Sequence, residues 1–179
     1  MKYQKEYNNI HLILGGAKSG KTKFAESMIN KFKMGTYIAT ASADDKEMAI
    51  RIKYHKQQRS KYCHTLEEPI ELSAAIRKCY RLKKEPILID CLTLWISNLL
   101  LKNFDLKDYM NEFLQLLPTL NIPIFIVSNE ISLGVVPENT LARNFRDNIG
   151  QFHQDIAEIA DQVTILVAGI PLHIKSKST

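Results

Sequence analysis

The sequence predicts an α/β fold in which a mostly parallel sheet carries helices on both faces. Three observations predict it. Short apolar runs without alternation, "IHLIL", "TYIAT", "PILID", "IPIFIVS" and "VTILVAG", recur along the chain, as expected of strands buried on both faces. Between them, apolar residues repeat every three or four positions, the mark of helices that turn one stripe to a core. The first run also ends in a glycine-rich octet that opens a helical pattern. The 179 residues suffice for one domain with its own core. A single α/β domain over residues 1–179 is expected, with frayed ends at 1–9 and 175–179.

Taken in order, residues 10–14 form a buried strand running into Gly15. A helix follows from Lys21, with Phe24, Met28 and Phe32 on one stripe. Residues 36–40 read as a second strand. Asp44 offers an N-cap to a helix reaching about Gln58, with Met48 and Ile52 on one face. "YCHTLEE" is ambiguous and suits a short strand. Leu72, Ile76, Cys79 and Leu82 mark a helix, and residues 86–90 a strand. "LTLWISNLLL" is apolar nearly all round, which makes Trp95 a core residue or, as the sharper alternative, an oligomer contact. Leu106, Met110, Phe113 and Leu117 give another helix, and residues 122–128 a strand. The stripe from Leu141 through Phe145, Ile149, Phe152 and Ile156 to Ile159 gives a long helix. Residues 163–169 form the last major strand, with "LHIK" as a short edge strand.

Composition narrows the function. Apolar residues make up 45% and charged residues 24%, the balance of a globular protein. No apolar run is long enough for a membrane span. "MKYQKEYNNI" lacks the apolar core of a secretion signal, and the three cysteines form no CxxC, so the cytoplasm is expected. The net charge is +5, and residues 51–61 hold five cations (Arg51, Lys53, Lys56, Arg59, Lys61) and no acid. The rest is nearly balanced. This favours one local anion site over a nucleic-acid-binding surface.

The octet is "GGAKSGKT", residues 15–22, with Gly15, Gly20, Lys21 and Thr22 at the positions of G-x-x-x-x-G-K-[ST]. Glycines let backbone N–H groups turn inward on phosphate oxygens, and the next helix presents its positive end. Lys21 is expected to reach the β- and γ-phosphates, and the Thr22 hydroxyl to ligate Mg²⁺. A magnesium shell also needs an acid at the end of another strand, and Asp90, closing "PILID", is the candidate. Its bland alternative is a helix cap. These features predict a P-loop NTPase fold of the RecA-like type and a magnesium nucleotide as ligand.

The basic stretch contains His55. Arg51, His55 and Arg59 are spaced by four, so on a helix they form one stripe. The arginines suit forked phosphate binding. Nearby positive charge disfavours imidazolium, and a neutral ring nitrogen can attack phosphorus. From the residues alone, nucleophile, acid/base and hydrogen-bond donor stay open. Other candidates read more blandly. His11, His64, His153 and His173 suit structural roles, and no His or Cys pair has zinc-ligand spacing. Glu130 follows a strand at the sheet end where α/β folds bind ligands; it could hold magnesium, position an acceptor hydroxyl or cap its loop. Arg143 and Arg146 could face phosphate, another subunit, or solvent and Asp147.

Together, "GGAKSGKT", "YIATA", "DDKEMAIRIKYHKQQR", "TLEEP", "LIDCLTLWISNLL", "VSNEISLGVVPENTLARNFRDNIGQFHQ" and "VAGIPLHIK" resemble the bifunctional adenosylcobinamide kinase / adenosylcobinamide-phosphate guanylyltransferase family of cobalamin biosynthesis. The resemblance runs from about Ile10 to Lys175 and is most specific in the "VSNE…VPEN" stretch. It implies phosphorylation of adenosylcobinamide by ATP or GTP. It then implies transfer of GMP from GTP through a GMP-histidine, giving adenosyl-GDP-cobinamide and pyrophosphate. His55 matches that histidine. The family's nucleotide contacts carry over to Gly15, Gly16, Ala17, Lys18, Ser19, Gly20, Lys21 and Thr22. They carry over further to Ala39, Thr40, Ala41, Lys56, Gln57, Gln58, Arg59, Glu67 and Asp90. A trimer is also implied. Gln57 and Gln58 stand where members often have an acid and a small residue, Asp90 where some have Glu, and residues 102–121 run short. Two alternatives are a monofunctional P-loop kinase whose His55 only binds phosphate, and a RecA-like nucleic-acid-binding ATPase. The latter would need a broader basic surface and interleaved aromatics.

Overall fold

The computed structural model describes residues 10–42, 49, 50, 52–54, 56, 59 and 61–176. Seven strands form one sheet in the order β3-β2-β4-β5-β1-β6-β7. They are β1 (Ile10–Gly15), β2 (Gly35–Ala39), β3 (Cys63–Glu67), β4 (Ile87–Asp90), β5 (Ile124–Asn129), β6 (Gln162–Val167) and β7 (Ile170–Lys175). All pairings are parallel except β6 with β7. The chain leaves β1 at the sheet centre, crosses to β2 and later returns to fill the gap with β4 and β5. Chain direction thus diverges beside the end of β1, the kind of crevice where such sheets bind ligands.

The unbroken apolar runs become strands covered on both faces. Leu12 and Leu14 of β1 face one core cluster, and Ile13 between them faces the other. The larger cluster takes apolar stripes from α2 (Leu72–Leu82), α3 (Leu92–Leu101), α4 (Leu106–Leu116) and α5 (Thr140–Ile159). The smaller packs Ala25 and Ile29 of α1 (Lys21–Ile29) against Ile13, Tyr37, Leu88, Phe125 and Val127. Helices therefore cover both faces, unequally. Asn139 caps α5 by accepting from the Leu141 and Ala142 N–H groups, and Asp105 caps α4 through Lys107 N–H, as short polar side chains do at helix starts.

Several sequence expectations need adjustment. "LTLWISNLLL" is apolar all round because α3 is enclosed on most sides. Trp95 is fully buried, stacks near Phe113 and Phe152, and donates its indole N–H to Ile70 O at 2.7 Å. It is core and unavailable to a second subunit. The last parallel strand stops at Val167, because Ala168 and Gly169 turn with φ of 51° and 82°. The edge strand after that turn is six residues long. Lys175, expected in a frayed end, closes β7 and donates to Ala157 O and Glu158 O near the end of α5. The expected cap Asp44 lies outside the described residues. No helix among the described residues is long and apolar enough to cross a membrane.

Candidate active site

The phosphate loop is shaped before any ligand meets it. A Cβ on Gly15 would lie 2.5 Å from Ser19 Oγ and 2.6 Å from Leu166 O, so only glycine allows this closure. The β6–β7 turn braces the loop from outside, with Gly169 N–H donating to Ser19 O at 3.0 Å. Gly16, Ala17 and Lys18 are exposed. Helix α1 starts at Gly20 without a side-chain cap, which leaves its first N–H groups to serve an anion. Ser19 Oγ is buried without a hydrogen-bond partner. Lys21 is buried and folds back to donate to Gly16 O at 2.7 Å. Burial pulls its pKa below the ordinary lysine value, with Cys91 and Asp90 opposing.

Beside the loop, the end of β4 brings in Asp90. Its Oδ2 accepts from Thr22 Oγ1 at 3.0 Å and from the Tyr37 hydroxyl at 2.5 Å. The Arg59 guanidinium stacks on the Tyr37 ring, 4.6 Å from its centroid, a cation–π contact. Burial and the Asp90 carboxylate push the Tyr37 phenol well above its ordinary pKa, so it stays a donor. Burial and Asp90 also raise the Glu26 carboxyl, with Arg59 opposing. Cys91, next along, is buried, and its thiol is pushed up to about 12 by burial and Asp90; it is an inert neutral thiol here.

Thr22 and Asp90 thus meet as the sequence spacing proposed. A hydroxyl and a carboxylate converging at the phosphate loop are oxygen donors of the kind Mg²⁺ takes. Ala39 and Thr40 are buried and Ala41 is half-buried. The polar groups of Thr40, a residue expected at the nucleotide, have protein partners. Its hydroxyl donates to Cys91 O and accepts from Cys91 N–H, while its carbonyl accepts from Asn98. With its polar groups so occupied, it ties β2 to β4 and leaves Ala41 as the more open residue of the three.

Of the basic stretch, Ile52, Lys53, Tyr54 and Lys56 are helical. Lys56 pairs with Glu67 at the end of β3, and Arg59 reaches Tyr37 on β2. Lys56 and Arg59 thus lie against the end of β3 and the middle of β2. Arg51, His55, Gln57 and Gln58 lie outside the described residues. Of the other histidines, His64 is exposed on β3. His11 is buried with Nε2 2.8 Å from Thr164 Oγ1, and His173 Nδ1 lies 2.9 Å from the same hydroxyl.

On the other flank of the loop, Glu130 N–H donates to Gly15 O at 2.9 Å. Its Oε1 accepts from Ser132 N–H at 2.6 Å and from the Ser132 hydroxyl. Its Oε2 lies 3.7 Å from His153 Nδ1. His153 is buried on α5 with Nε2 2.8 Å from Ser128 Oγ. Arg143 caps the preceding loop through Pro137 O and Glu138 O, and Arg146 pairs with its neighbour Asp147 at 3.2 Å. Tyr37 and Glu26 join the site without having been singled out from sequence. Tyr37 sits in an apolar run and reads as core, and the one available signal was a phenol in a strand that ends at the ligand edge.

The geometry serves a phosphorylated ligand: a backbone cradle, a lysine, a hydroxyl–carboxylate pair and an adjacent guanidinium. Comparison with known proteins agrees. Residues 11–174 match the family described as cobinamide kinase / cobinamide phosphate guanyltransferase. The chain is 43% identical over 169 residues to the bifunctional adenosylcobalamin biosynthesis protein CobP of Pseudomonas aeruginosa, covering 93% of this chain and 97% of that protein. It is 36% identical over 179 residues to the Escherichia coli protein CobU of the same description, covering 92% and 98%. The fold resembles the Pyrococcus horikoshii protein PH0250, with TM-score 0.56, 11% identity and 99% and 92% coverage. It also resembles a KaiC-like protein of that organism, with TM-score 0.51, 15% identity and 96% and 82% coverage. With the match spanning nearly every strand and the relatives aligned almost end to end, the chain belongs to the cobinamide kinase / cobinamide phosphate guanyltransferase family.

Proposed function

We propose that the chain carries out both reactions of its family on one nucleotide-binding edge. It phosphorylates adenosylcobinamide with ATP or GTP, and it transfers GMP from GTP to the resulting phosphate. The observation that carries this is the convergence on Asp90: Thr22 from the phosphate loop and Tyr37 from β2 on one carboxylate oxygen, with Arg59 of the basic stretch over the Tyr37 ring. It joins the kinase-type loop to the segment that contains His55.

Gly15 through Thr22 would wrap the phosphates, with Lys21 turning from Gly16 O to phosphate oxygens. Mg²⁺, held by Thr22 and Asp90, would supply charge neutralisation on the phosphates when bound. Ala41, Lys56, Arg59 and Glu67 line the neighbouring edge as further nucleotide contacts, with Arg51, Gln57 and Gln58 assigned by spacing and family. In the guanylyl half, a neutral His55 nitrogen attacks the α-phosphorus of GTP. The bond to the α,β-bridging oxygen breaks, and pyrophosphate leaves with the electron pair. A phosphate oxygen of adenosylcobinamide phosphate then displaces the imidazole, giving adenosyl-GDP-cobinamide. Arginine neighbours on the His55 face would stabilise the charge that develops.

We place the protein in the cytoplasm, where Cys63, Cys79 and Cys91, none of them in a disulfide, would stay reduced. We assign it a trimer, for which the exposed Ile170, Leu172 and Ile174 of β7 offer an apolar surface. GTP labelled at the α-phosphorus, with Mg²⁺, should leave acid-labile label on the protein, and His55→Ala should remove it. Wild-type protein that phosphorylates adenosylcobinamide yet never takes up label would reduce the function to a kinase alone.

A further inference from the structure

Glu130 is a second carboxylate at the phosphate loop, and it belongs to a buried chain of polar groups. The Asn129 N–H donates to Thr93 Oγ1 at 2.7 Å, Thr93 Oγ1 is 3.0 Å from Ser128 Oγ, and Ser128 Oγ is 2.8 Å from His153 Nε2. His153 Nδ1 then faces Glu130 Oε2 at 3.7 Å. The ends of this chain are fixed, an amide donor at one and a carboxylate acceptor at the other. With neutral imidazole, one proton arrangement brings a donor to every hydrogen bond of the chain. Thr93 donates to Ser128, Ser128 donates to His153 Nε2, and the Nδ1–H points at Glu130. The reverse tautomer would set a nitrogen lone pair against a carboxylate oxygen. Burial keeps the imidazole neutral by lowering its pKa, with Glu130 opposing.

The chain is anchored on β5, whose last residue pairs with Gly15. Glu130 is therefore held at the start of the phosphate loop by its own N–H and by Ser132, with a buried imidazole behind it at 3.7 Å, beyond hydrogen-bond reach. Other carboxylates at this sheet edge are engaged differently: Asp90 by Thr22 and Tyr37, Glu67 by Lys56, and Glu68 by the Ile70 and Glu71 N–H groups. Among the described residues, no lysine or arginine forms an ion pair with Glu130, and its side chain keeps 13% exposure. A carboxylate fixed in place, partly open and unpaired with a cation is suited to take a proton.

We propose that Glu130 is the proton acceptor of the kinase half-reaction, with Ser128 and His153 as positioning residues behind it. The inference rests on the kinase reading above. The acceptor hydroxyl oxygen of adenosylcobinamide forms a bond to the γ-phosphorus as its O–H proton passes to Glu130 Oε2. The bond from the γ-phosphorus to the β,γ-bridging oxygen breaks, and ADP or GDP leaves with the electron pair. The guanylyl half needs no such group, because a neutral His55 nitrogen and a phosphate oxygen attack without losing a proton.

The test splits the two halves. Glu130→Gln keeps the shape and an acceptor for Ser132. Its kcat for phosphorylation of adenosylcobinamide should fall by about 10²–10⁴, the usual contribution of a positioned base. Labelling by α-labelled GTP, and GMP transfer to pre-formed adenosylcobinamide phosphate, should stay within about twofold of wild type, on the same reasoning that neither step loses a proton. Glu130→Asp should retain more phosphorylation than Glu130→Gln. Equal losses in both halves would overturn the assignment in favour of a structural role, and an unchanged phosphorylation rate would overturn it outright. Wild-type protein that labels with GTP but does not phosphorylate adenosylcobinamide would instead defeat the kinase reading itself.

Discussion

The two flanks of the phosphate loop place a carboxylate at similar positions and surround it in opposite ways. Asp90, at the end of β4, accepts from two side-chain hydroxyls, with a guanidinium one ring away. Glu130, just past β5, is capped by its own loop and backed by an uncharged imidazole. The two hydroxyl donors on Asp90 Oδ2 fix where that oxygen points, which suits a group that holds something. Glu130 feels opposing influences. Burial raises its pKa, the Ser132 hydrogen bonds, His153 and the Leu133 N–H lower it, and the net lies below the ordinary glutamate value. The lowered pKa makes it a weaker base, but it is ionised at neutral pH and makes no pair with lysine or arginine among the described residues, so an oxygen lone pair stays open to receive a proton. The same class of side chain on one sheet edge gains different chemistry from its neighbours.

The strongest way to break this contrast is Asp90→Asn. If Asp90 serves the nucleotide in both reactions, phosphorylation and GTP labelling should fall together, by about 10²–10³, where Glu130→Gln separates them. A variant that loses only one activity would make the two flanks equivalent and end the comparison.

An intermediate effect concerns acid. Buried neutral imidazoles lie behind Glu130 and on β1 itself. Burial holds His11 at about 4, with His173 adding to the shift, and His153 is lowered in the same direction. The unfolded chain therefore takes up these protons first, near pH 6.5. Stability is complete above that pH and declines as the pH falls toward 4. For His11 alone the loss between pH 7 and pH 5 should be about 2 kcal/mol. Urea midpoints at the two pH values measure it, and His11→Gln should flatten the difference. A wild-type midpoint that does not move would show these imidazoles to be solvated.

Tyr37→Phe sharpens the contrast with the smallest change. It keeps the ring beneath Arg59 and removes one donor from Asp90. A hydrogen bond to a charged group contributes about 1.5–3 kcal/mol at most, and Thr22 still holds the same oxygen. Nucleotide affinity should weaken about tenfold or less, with both half-reactions affected alike, as equilibrium nucleotide titration and the two assays would show. A selective loss of phosphorylation would move Tyr37 to the acceptor side.

Legibility followed the range of each interaction. The phosphate loop, its strand and its helix were readable because eight consecutive residues carry the whole geometry. Asp90 was readable because it ends an apolar run at the edge where such folds bind ligands. Tyr37 was not, since its partners Asp90 and Arg59 are 53 and 22 positions away and nothing local separates it from core. His153 read as structural from sequence, because the chain from Thr93 through Ser128 to Glu130 spans several elements and has no local pattern. Trp95 kept two readings until α3 was seen to be enclosed.

By itself the sequence determined the layered α/β plan, the phosphate loop, the strand-ending acid and the family. Each of these is set by neighbours in the chain or by a repeat that helices and strands impose on apolar residues. Only the tertiary structure decided that Thr22, Tyr37 and Arg59 gather at Asp90, that Thr40 ties β2 to β4, and that Glu130 stands against Gly15 with a neutral imidazole behind it. Those contacts join residues tens of positions apart. Their distances depend on strand register and helix packing, which side-chain identity alone does not encode.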